Sequence, residues 1–489
     1  MLPTIATGNV ASATAGAYEV ANSCRFMTDT VMKRTNAATS TNGTQGCFST
    51  WIKKCGENDT GTGGGIITGY VDASNYSVIY FDSDHRLCFL EYQSGSSAGF
   101  LRTPNIFRDP SAWMHIAYLI DTTQGTAANR VKCYINGTQI TSFHSGGTTQ
   151  PAQDLTLKIF AASTSLDLGQ DTGGSPHFMN GYLAETLLVD GTTVAIGDLG
   201  EFDEDSPTIW KPKDISGISV GTNGFYLDYE DSANLGNAVD GGTDLTETNL
   251  DATDQATDTP TNSFATWNSL AGYYYAGTFS EGNCKTVSGT SEYGFIPSNI
   301  GVSSGKWYCE INNVSATSGD GDWHYFGIVS TQGTGTTIGI GKNANDYGIR
   351  VDTSSLPGQI RTGDSHSSYG VALADGDTLG IYLDLDNNKL YFAKDGVLMN
   401  SGTGISITAP ASTSLGAYFF AYSYEDGSGT GTVAANFGGC SSFTVSSANQ
   451  DANGYGNFEF SPNDDGNSSF DSAAKDFYAL CTKNLAEFG

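Results

Sequence analysis

Apolar and polar residues alternate with a period of two along residues 377–397. A period of two places every second side chain on the same face of a β-strand. The alternation stops at 386–388, Asp-Asn-Asn, and resumes over 389–394. Asp395 and Gly396 then form the kind of residue pair that favours a tight hairpin turn. The pattern predicts two antiparallel strands joined by short turns.

A counterpart lies in the first half of the chain. Residues 114–121 alternate in the same way, and after a polar gap the alternation returns over 131–135. Asn136 and Gly137 end this second run with another hairpin-type pair. Two such patterns far apart in one chain favour two separate antiparallel modules.

Similar short runs, separated by Gly, Asn, Asp and Ser, fill two blocks of the sequence, and no long window has a convincing helical period. We therefore predict an all-β fold of two tandem antiparallel β-sandwiches joined by an irregular connector. The predicted divisions are an N-terminal arm at 1–17, a first sandwich at 18–190, a connector at 191–272, a second sandwich at 273–460 and a C-terminal tail at 461–489.

Two local expectations follow for the first block and the connector. The run LTLKIFAA at 155–162 is predicted to be a strand of the first sandwich. The connector has few apolar residues, and its apolar group at 225–227 is predicted to contact the first sandwich. The last part of the tail, around 473–480, has a weak helical pattern, so a short helix or a docking strand is expected there.

Composition agrees with strands and turns, because the 489 residues include 62 glycines, 25 tyrosines and 25 phenylalanines. The net charge is −30, from 52 acidic and 22 basic residues. Such a chain is repelled by nucleic acid and by anionic membrane surfaces, since it offers no basic stripe that would release counterions. We expect no nucleic-acid partner and no membrane insertion.

Nine cysteines without any CxxC spacing are predicted to be small buried apolar residues in a protein made in a reducing cytoplasm. The first residues, MLPTIATGNV, have neither the basic nor the apolar region of a signal peptide. No run approaches the eighteen consecutive apolar residues typical of a membrane span.

Several segments resemble known families. The first block resembles a concanavalin A-like or laminin-G-like lectin domain through FSTWIKK (48–54), FRDPSAWMHIAYLIDTTQ (107–124), NRVKCYINGTQI (129–140) and NGYLAETLLVDG (180–191). The second block resembles a SPRY domain through GVSSGKWYCEI (301–311), HYFGIVS (324–330), DGDTLGIYLDLDNNKLYFAKDG (375–396) and AANFGG (434–439). These resemblances imply sandwich folds; they do not by themselves assign a function.

The whole arrangement also resembles structural proteins of tailed bacteriophages, including the connector phrases GTNGFYLDYEDS (221–232) and DTPTN (258–262). This resemblance implies a virion component, such as a tail fibre or a head fibre. It also implies a protein made in the host cytoplasm and assembled with other virion proteins, most simply as a homo-oligomer.

The acidic segment 201–205, Glu-Phe-Asp-Glu-Asp, is the nearest match in the sequence to a catalytic carboxylate pattern. Glycoside hydrolysis needs two carboxylates that flank the scissile bond. This segment ends in Asp where an ExDxE pattern has Glu, and it lies in the connector beside Pro207 instead of on a strand. A solvated acidic turn is the better interpretation, so we predict that the protein is not an enzyme.

Metal sites have little support in the sequence. Six histidines show no HxH or HExxH spacing, which argues against zinc. Asp384, Asp386 and Asn388 alternate as in a calcium loop, but Lys389 replaces the glycine that such a loop requires. No cofactor is predicted, although structural calcium stays open at four acidic turn residues: Asp82, Asp84, Asp167 and Asp171.

The predicted ligand-binding residues are aromatic, basic and histidine side chains in or beside predicted loops of the second block. They are Trp323, His324, Tyr347, Arg350, Arg361, His366 and Tyr369. An exposed aromatic ring stacks on the apolar face of a sugar, while arginine or aspartate bonds to its hydroxyl groups. The alternative for Trp323 is that it begins the strand WHYFGIV and belongs to the core.

The sequence therefore predicts a non-enzymatic virion protein that presents β-sandwiches for binding a host-surface glycan or another virion protein. Two other functions stay open. A purely architectural capsid decoration or tail component would bind no glycan. A glycan-degrading depolymerase would need a cluster of carboxylates in a groove. The location on the virion, the receptor and the copy number do not follow from the sequence.

Overall fold

The computed structural model describes residues 4–5, 18–37, 40, 42–55, 64–172, 177–271, 277–289, 293–315, 323–332, 339–351, 356, 358–425, 430–463, 470 and 476–489. The chain divides into two compact units: residues 11–261 form the first, and residues 1–10 with 262–489 form the second, so the main boundary lies after Thr261. This boundary lies inside the predicted connector, 191–272. Strand β1, Thr4–Ile5, pairs in parallel with Ile300–Gly301 of the second unit.

The first unit is built from strands, one short helix and three 3-10 turns, within the described residues. The strands are β2 Ser23–Phe26, β3 Val31–Thr35, β4 Gln45–Lys54, β5 Gly64–Asp72, β6 Asn75–Phe81, β7 Leu87–Gln93, β8 Ser96–Arg102, β9 Trp113–Asp121, β10 Val131–Ile135, β11 Thr138–Ile140, β12 Thr148–Thr149, β13 Ser165–Leu168, β14 Gln170–Asp171, β15 His177–Phe178, β16 Gly181–Asp190, β17 Gly200–Phe202, β18 Trp210–Pro212, β19 Phe225–Leu227, β20 Thr246–Thr248 and β21 Gln255–Ala256. The helix is α1 Ile196–Leu199, and the 3-10 turns are Ala127–Asn129, Lys158–Phe160 and Ala252–Asp254.

Two antiparallel sheets form the first sandwich. Sheet A has the order β11-β10-β9-β4-β16-β2-β21, with β19 also paired to β16, and sheet B has the order β12-β8-β7-β6-β5-β13-β3-β20. Alternating side chains of both sheets meet in one core, represented by Phe48 and Ile116 of sheet A and by Ile79, Phe89 and Leu101 of sheet B. Burial of these apolar faces holds the two sheets together.

The segment after residue 190 adds strands to this sandwich. Strand β19 pairs with β16, which confirms the predicted contact at 225–227, and β20 and β21 pair with β3 and β2. The predicted strand at 155–162 is wrong, because its centre forms a 3-10 turn, Lys158–Phe160. The turn lets Ile159 and Phe160 both enter the core, while the backbone N–H of Ile159 donates to Ser77 Oγ at 2.9 Å.

The second unit is also built almost entirely of strands within the described residues. They are β22 Thr278–Ser280, β23 Lys285–Val287, β24 Tyr293–Pro297, β25 Ile300–Gly301, β26 Lys306–Ser315, β27 Trp323–Val329, β28 Tyr347–Arg350, β29 Gln359–Thr362, β30 Ser365–Ser368, β31 Thr378–Asp384, β32 Lys389–Lys394, β33 Val397–Leu398, β34 Ile405–Ser406, β35 Phe419–Glu425, β36 Thr432–Asn436 and β37 Tyr478–Ala479. Helix α2 is Thr482–Phe488, and 3-10 turns lie at Met399–Gly402 and Pro410–Ser412.

Sheets C and D form the second sandwich. Sheet C has the order β22-β23-β36-β26-β31-β32-β33, with β34 paired to β32 and β37 to β26; sheet D has the order β24-β35-β27-β28-β29-β30. Trp307, Ile381 and Phe392 of sheet C meet Phe326 and Tyr422 of sheet D in the core. The all-β fold of antiparallel sandwiches predicted from the sequence is confirmed.

Both hairpin turns predicted from the sequence are present. Asn136 and Gly137 have φ values of 46° and 71°, and Asp395 and Gly396 have φ values of 47° and 76°. Positive φ at both central residues suits the right-handed twist of the flanking strands. In the tail, strand β37 pairs with β26, and helix α2 begins at Thr482, which is after the weakly helical stretch around 473–480.

All nine cysteines are buried, as predicted, and none of them forms a disulfide bond. Among the described residues, no helix has the length and apolar character needed to cross a membrane.

Candidate functional site

Four of the predicted ligand-binding side chains share the outer face of sheet D: Trp323, Arg350, Arg361 and His366. Their positions follow from strand register. Arg361 stands opposite His366, and Arg350 stands opposite Tyr325. Tyr325 belongs to the apolar cluster that covers this outer face. The six-stranded order of sheet D thus brings together residues that are far apart in the sequence.

The other three predicted residues lie elsewhere. His324 and Tyr347 occupy the inner face, where they are 0% and 6% exposed, and His324 Nδ1 lies 2.9 Å from the hydroxyl of Tyr422. Tyr369 follows sheet D and packs edge-on against Phe392 of sheet C, with ring centroids 6.0 Å apart. Successive strand residues point to opposite faces, so one site cannot use both members of the pair at 323–324.

Arg361 is engaged inside the protein. Its guanidinium binds the Glu425 carboxylate with two hydrogen bonds, one of them 2.8 Å from Nη1 to Oε2. Its Nε donates to the carbonyl oxygen of Ile340 at 2.8 Å, and its Cζ lies 3.8 Å from the centroid of the Tyr325 ring. Arg361 is 2% exposed and Glu425 is fully buried. This geometry stabilises the sheet face and leaves the guanidinium little access to a ligand.

Arg350 is also buried, with its Cζ 4.8 Å from the centroid of the half-buried Trp323 ring. His366 is exposed, and its Nε2 lies 3.2 Å from the hydroxyl of Tyr325. Partial burial, followed by the positive charges of Arg361 and Arg350, lowers the pKa of His366. The exposed His366 and the half-buried Trp323 are the accessible members of the predicted set on this face.

Ligand binding by the seven residues stays a prediction. The geometry is compatible with it at the accessible Trp323, His366 and Tyr369, and the other four side chains serve the interior of the second unit. The loop SGDGD at 318–322, which was expected to present Trp323, lies outside the described residues.

A surface of different character covers the outer face of sheet B in the first unit. Tyr70 stands opposite Tyr76, and Tyr76 stands opposite Tyr92, so three tyrosines form a row across β5, β6 and β7. The rings of Tyr76 and Tyr92 are stacked, with centroids 5.1 Å apart. Tyr80 and Phe100 lie on the same face, and all five rings are half-buried. We call this surface the tyrosine face.

Acidic side chains border the tyrosine face. The hairpin of β14 and β15 lies against β5, where Thr68 Oγ1 donates to the carbonyl oxygen of Gln170 at 2.7 Å. This contact brings Asp171 to the aromatic row. Burial and then the negative charge of Asp171 raise the pKa of Tyr76, so its phenol stays protonated and able to donate a hydrogen bond. Rings flanked by a carboxylate suit the apolar and hydroxyl surfaces of a sugar.

Three of the four calcium candidates form ion pairs with basic side chains. Asp82 and Asp84 both form ion pairs with Arg102, and Lys33 lies 3.4 Å from Asp167. Among the described residues, no group of three or more His, Cys, Asp or Glu side chains could hold a metal ion. The acidic turn at 384–388 closes the β31–β32 hairpin through bonds from Asn387 to the carboxylate of Asp384.

The acidic segment 201–205 begins on β17, which includes Glu201 and Phe202, and continues into the turn before β18. Lys211 lies 3.5 Å from both Glu201 and Asp203, and Asp203 accepts the backbone N–H groups of Asp205 and Ser206. These contacts engage the carboxylates within the β17–β18 hairpin. The prediction that the segment lies off any strand is wrong for Glu201 and Phe202, and Asp203 is buried where a solvated turn was expected.

A serine and a histidine meet on the outer face of sheet A, but their hydrogen bonds have the wrong direction for nucleophilic catalysis. Trp210 Nε1 donates to His115 Nδ1 at 3.2 Å, so the neutral imidazole carries its proton on Nε2 and donates it to Ser49 Oγ, 2.8 Å away. Burial lowers the pKa of His115 to about 3, which keeps the ring neutral. His115 cannot accept the serine proton in this arrangement.

Glu185 provides a pH-dependent contribution to stability. It is buried at a bulge of β16 and accepts hydrogen bonds from the hydroxyls of Tyr226 at 2.7 Å and Tyr18 at 3.1 Å. Burial raises its pKa from 4.5 to about 7. Because the folded-state pKa is raised, its stabilising contribution is complete below about pH 4.5 and is lost as the pH rises through about 7.

Between pH 5 and pH 8, the free energy of unfolding should fall less in Glu185→Gln than in the wild type. The expected difference between the two falls is on the order of 2 kcal/mol. Both tyrosines donate to one carboxylate oxygen, which the glutamine oxygen can replace. Urea unfolding at the two pH values measures the difference, and the exposed Glu230→Gln is the control. Equal pH dependence in Glu185→Gln and the wild type would contradict the expectation.

Sequence analysis did not identify the tyrosine face. A signal was present, because Tyr76, Val78 and Tyr80 occupy alternate positions of β6 while Ile79 and Phe81 occupy the others. Aromatic residues on the less buried face of a predicted strand indicate a surface available to a ligand. Which strands stand side by side, and hence the row of three rings, required the sheet order.

Residues 28–193 match the family model described as Concanavalin A-like lectin/glucanases superfamily. The first unit thus contains a concanavalin A-like lectin/glucanase domain, and this part of the resemblance is confirmed. A comparison with curated proteins finds no match.

Solved structures similar to parts of the chain include stonustoxin, with 18% identity and a TM-score of 0.27 over 35% of this chain and 27% of that chain. The SPRY domain of human HERC1 shows 12% identity and a TM-score of 0.26 over 36% of this chain and 99% of that chain. A putative carbohydrate binding protein from Bacteroides ovatus shows 11% identity and a TM-score of 0.30 over 44% of this chain and 53% of that chain. These likenesses concern strand architecture alone.

Proposed function

We propose that this protein is a non-enzymatic carbohydrate-binding component of a tailed-phage virion, and that it binds glycan through the tyrosine face. The observation that carries the proposal is the row of Tyr70, Tyr76 and Tyr92 beside Asp171. The family match at 28–193 spans this whole surface and includes lectins in its description.

The physical case rests on rings held in place before a ligand arrives. The tyrosines project from the middle of sheet B, whose opposite face is buried in the core, so their positions are set by strand pairing. Binding then costs little side-chain ordering. Ring faces stack on the C–H surface of a pyranose, and the carboxylate of Asp171 accepts hydrogen bonds from its hydroxyl groups.

The virion part of the proposal is supported by the resemblance of the chain to phage structural proteins. A tail fibre or head fibre made of several copies would present many weak glycan sites at once, which increases avidity. Mass spectrometry of separated heads and tails from purified particles tests this part, and absence of the protein from particles would disprove it.

The binding test is a glycan array followed by titration of the best ligand. Tyr76→Ala should raise the dissociation constant for the glycan about tenfold. This corresponds to a loss of about 1.4 kcal/mol of binding free energy from the ring contact. Tyr134→Ala is a matched control, because Tyr134 is a half-buried tyrosine on β10 of sheet A. Equal loss in both variants would refute the tyrosine face as the site, and new reducing ends in the incubated glycan would refute a non-enzymatic role.

A further inference from the structure

An apolar groove lies in the second unit, between the turn from β32 to β33 and the segment that follows β30. Its cavity volume is about 510 Å³, within the range of ligand-binding pockets. The lining side chains that matter here are Tyr369, Val371, Lys394, Val397, Leu398 and Met399. This groove is separate from the tyrosine face and from the outer face of sheet D.

The rim of this groove exposes apolar surface to an unusual degree. Val397 is 68% exposed and Val371 is 54% exposed, which makes them the two most exposed large apolar side chains among the described residues. Two such residues beside one cavity form a patch of the kind that marks an interaction surface. Met399 at the base is buried, and its flexible side chain adapts to different apolar groups.

Backbone geometry favours an extended occupant. Strand β33 is the last strand on one side of sheet C, paired to β32 through Val397 and Leu398. A strand at the edge of a sheet offers backbone groups to an added segment, while alternate side chains of that segment enter neighbouring pockets. The apolar groove lies directly beside this edge.

The charges around the groove favour some binding partners over others. Asp395 lines the groove and is exposed, and Lys394 is neutralised by Asp377, whose carboxylate lies 2.5 Å from Nζ. The local charge is therefore negative, as is the whole chain at −30. At this groove a segment rich in lysine or arginine would be attracted more strongly than a second copy of this acidic chain.

We propose that the groove binds an extended segment of another protein in which apolar side chains are flanked by basic residues. The apolar side chain fills the space between Val371, Val397 and Met399, and the basic residues lie against Asp395. The second sandwich would then hold a protein partner independently of any glycan bound by the first unit.

Two labelled peptides test the proposal on the full chain. One has a central Phe-Val pair between two lysines on each side, and the other has glutamates in place of the lysines. Fluorescence polarisation should show binding of the lysine peptide, with the glutamate peptide at least about tenfold weaker. The double variant Val371→Ser/Val397→Ser should raise the dissociation constant of the lysine peptide about tenfold, because serine buries less apolar area against the peptide than valine does.

The control for the apolar contact is Val239→Ser, which removes an exposed valine of the first unit and should change nothing. Asp395→Asn should narrow the difference in affinity between the two peptides, and asparagine tolerates the positive φ at 395. No binding of the lysine peptide, equal binding of both peptides, or binding insensitive to the valine changes would overturn the proposal.

Two further outcomes would identify another occupant and also overturn it. Self-association in sedimentation velocity that the double valine variant abolishes would identify a second copy of this chain. A shift of the Met399 methyl resonance with neutral oligosaccharides, but not with the lysine peptide, would identify a sugar. Loss of glycan binding at the tyrosine face would leave these results unaffected, so the two proposals fail separately.

Discussion

Lys53→Met should lower the free energy of unfolding of the first unit by about 3–5 kcal/mol, because it leaves the buried Asp258 carboxylate without its cation. Lys53 Nζ lies 2.6 Å from Asp258 Oδ2, and their side chains are 0% and 1% exposed. Trp113 Nε1 also donates a hydrogen bond to Asp258 at 2.8 Å, but one neutral donor does not compensate for the buried negative charge of the carboxylate. The pair fastens the end of the first unit to strand β4.

Hydrogen exchange followed by mass spectrometry measures this effect on peptides of residues 18–261. The matched control is Lys33→Met, because Lys33 is 40% exposed in its pair with Asp167 and should cost less than about 1 kcal/mol. Adding Asp258→Asn to Lys53→Met removes the unpaired charge and should recover part of the loss. A loss below about 1 kcal/mol in Lys53→Met would contradict the buried pair as a major contributor.

Arg361→Met should destabilise the second unit by a similar amount, about 3–5 kcal/mol. Glu425 is fully buried and, among the described residues, would keep Lys342 as its cation, with Nζ 3.6 Å away. The variant also removes the bond from Arg361 Nε to the carbonyl oxygen of Ile340. We therefore expect faster hydrogen exchange around residues 339–342 as well as lower global stability.

Arg361→Lys separates charge from geometry. Lysine keeps the positive charge but cannot form the two-pronged contact with Glu425 or the bond to Ile340, so an intermediate loss is expected. The pair Arg361→Met/Glu425→Gln should be more stable than Arg361→Met alone. If Arg361→Met unfolds at the same urea concentration as the wild type, the pair does not stabilise the sheet face.

The two arginines show why the predicted ligand-binding set includes side chains that are buried in the structure. Arg350 ends the segment NDYGIR and Arg361 begins the segment RTGDSHSSYG, and the small and polar residues of these segments suggested accessible loops. In the structure they lie on short strands of sheet D and are covered by neighbouring groups such as Ile340 and Trp323. Burial of a charged side chain depends on a partner distant in the chain, here Glu425, and local sequence does not reveal that partner.

The all-β class, both hairpins and most of the strands follow from local sequence, because side-chain alternation and the conformations available to Asn-Gly and Asp-Gly are local properties. The neighbour of each strand, and so the strand order, is set instead by long-range packing. That order aligned Tyr70, Tyr76 and Tyr92 in one row, paired Lys53 with Asp258 and placed Val371 beside Val397. Each of these contacts joins positions on different strands or segments, so it exists only after long-range burial has brought the sheets together.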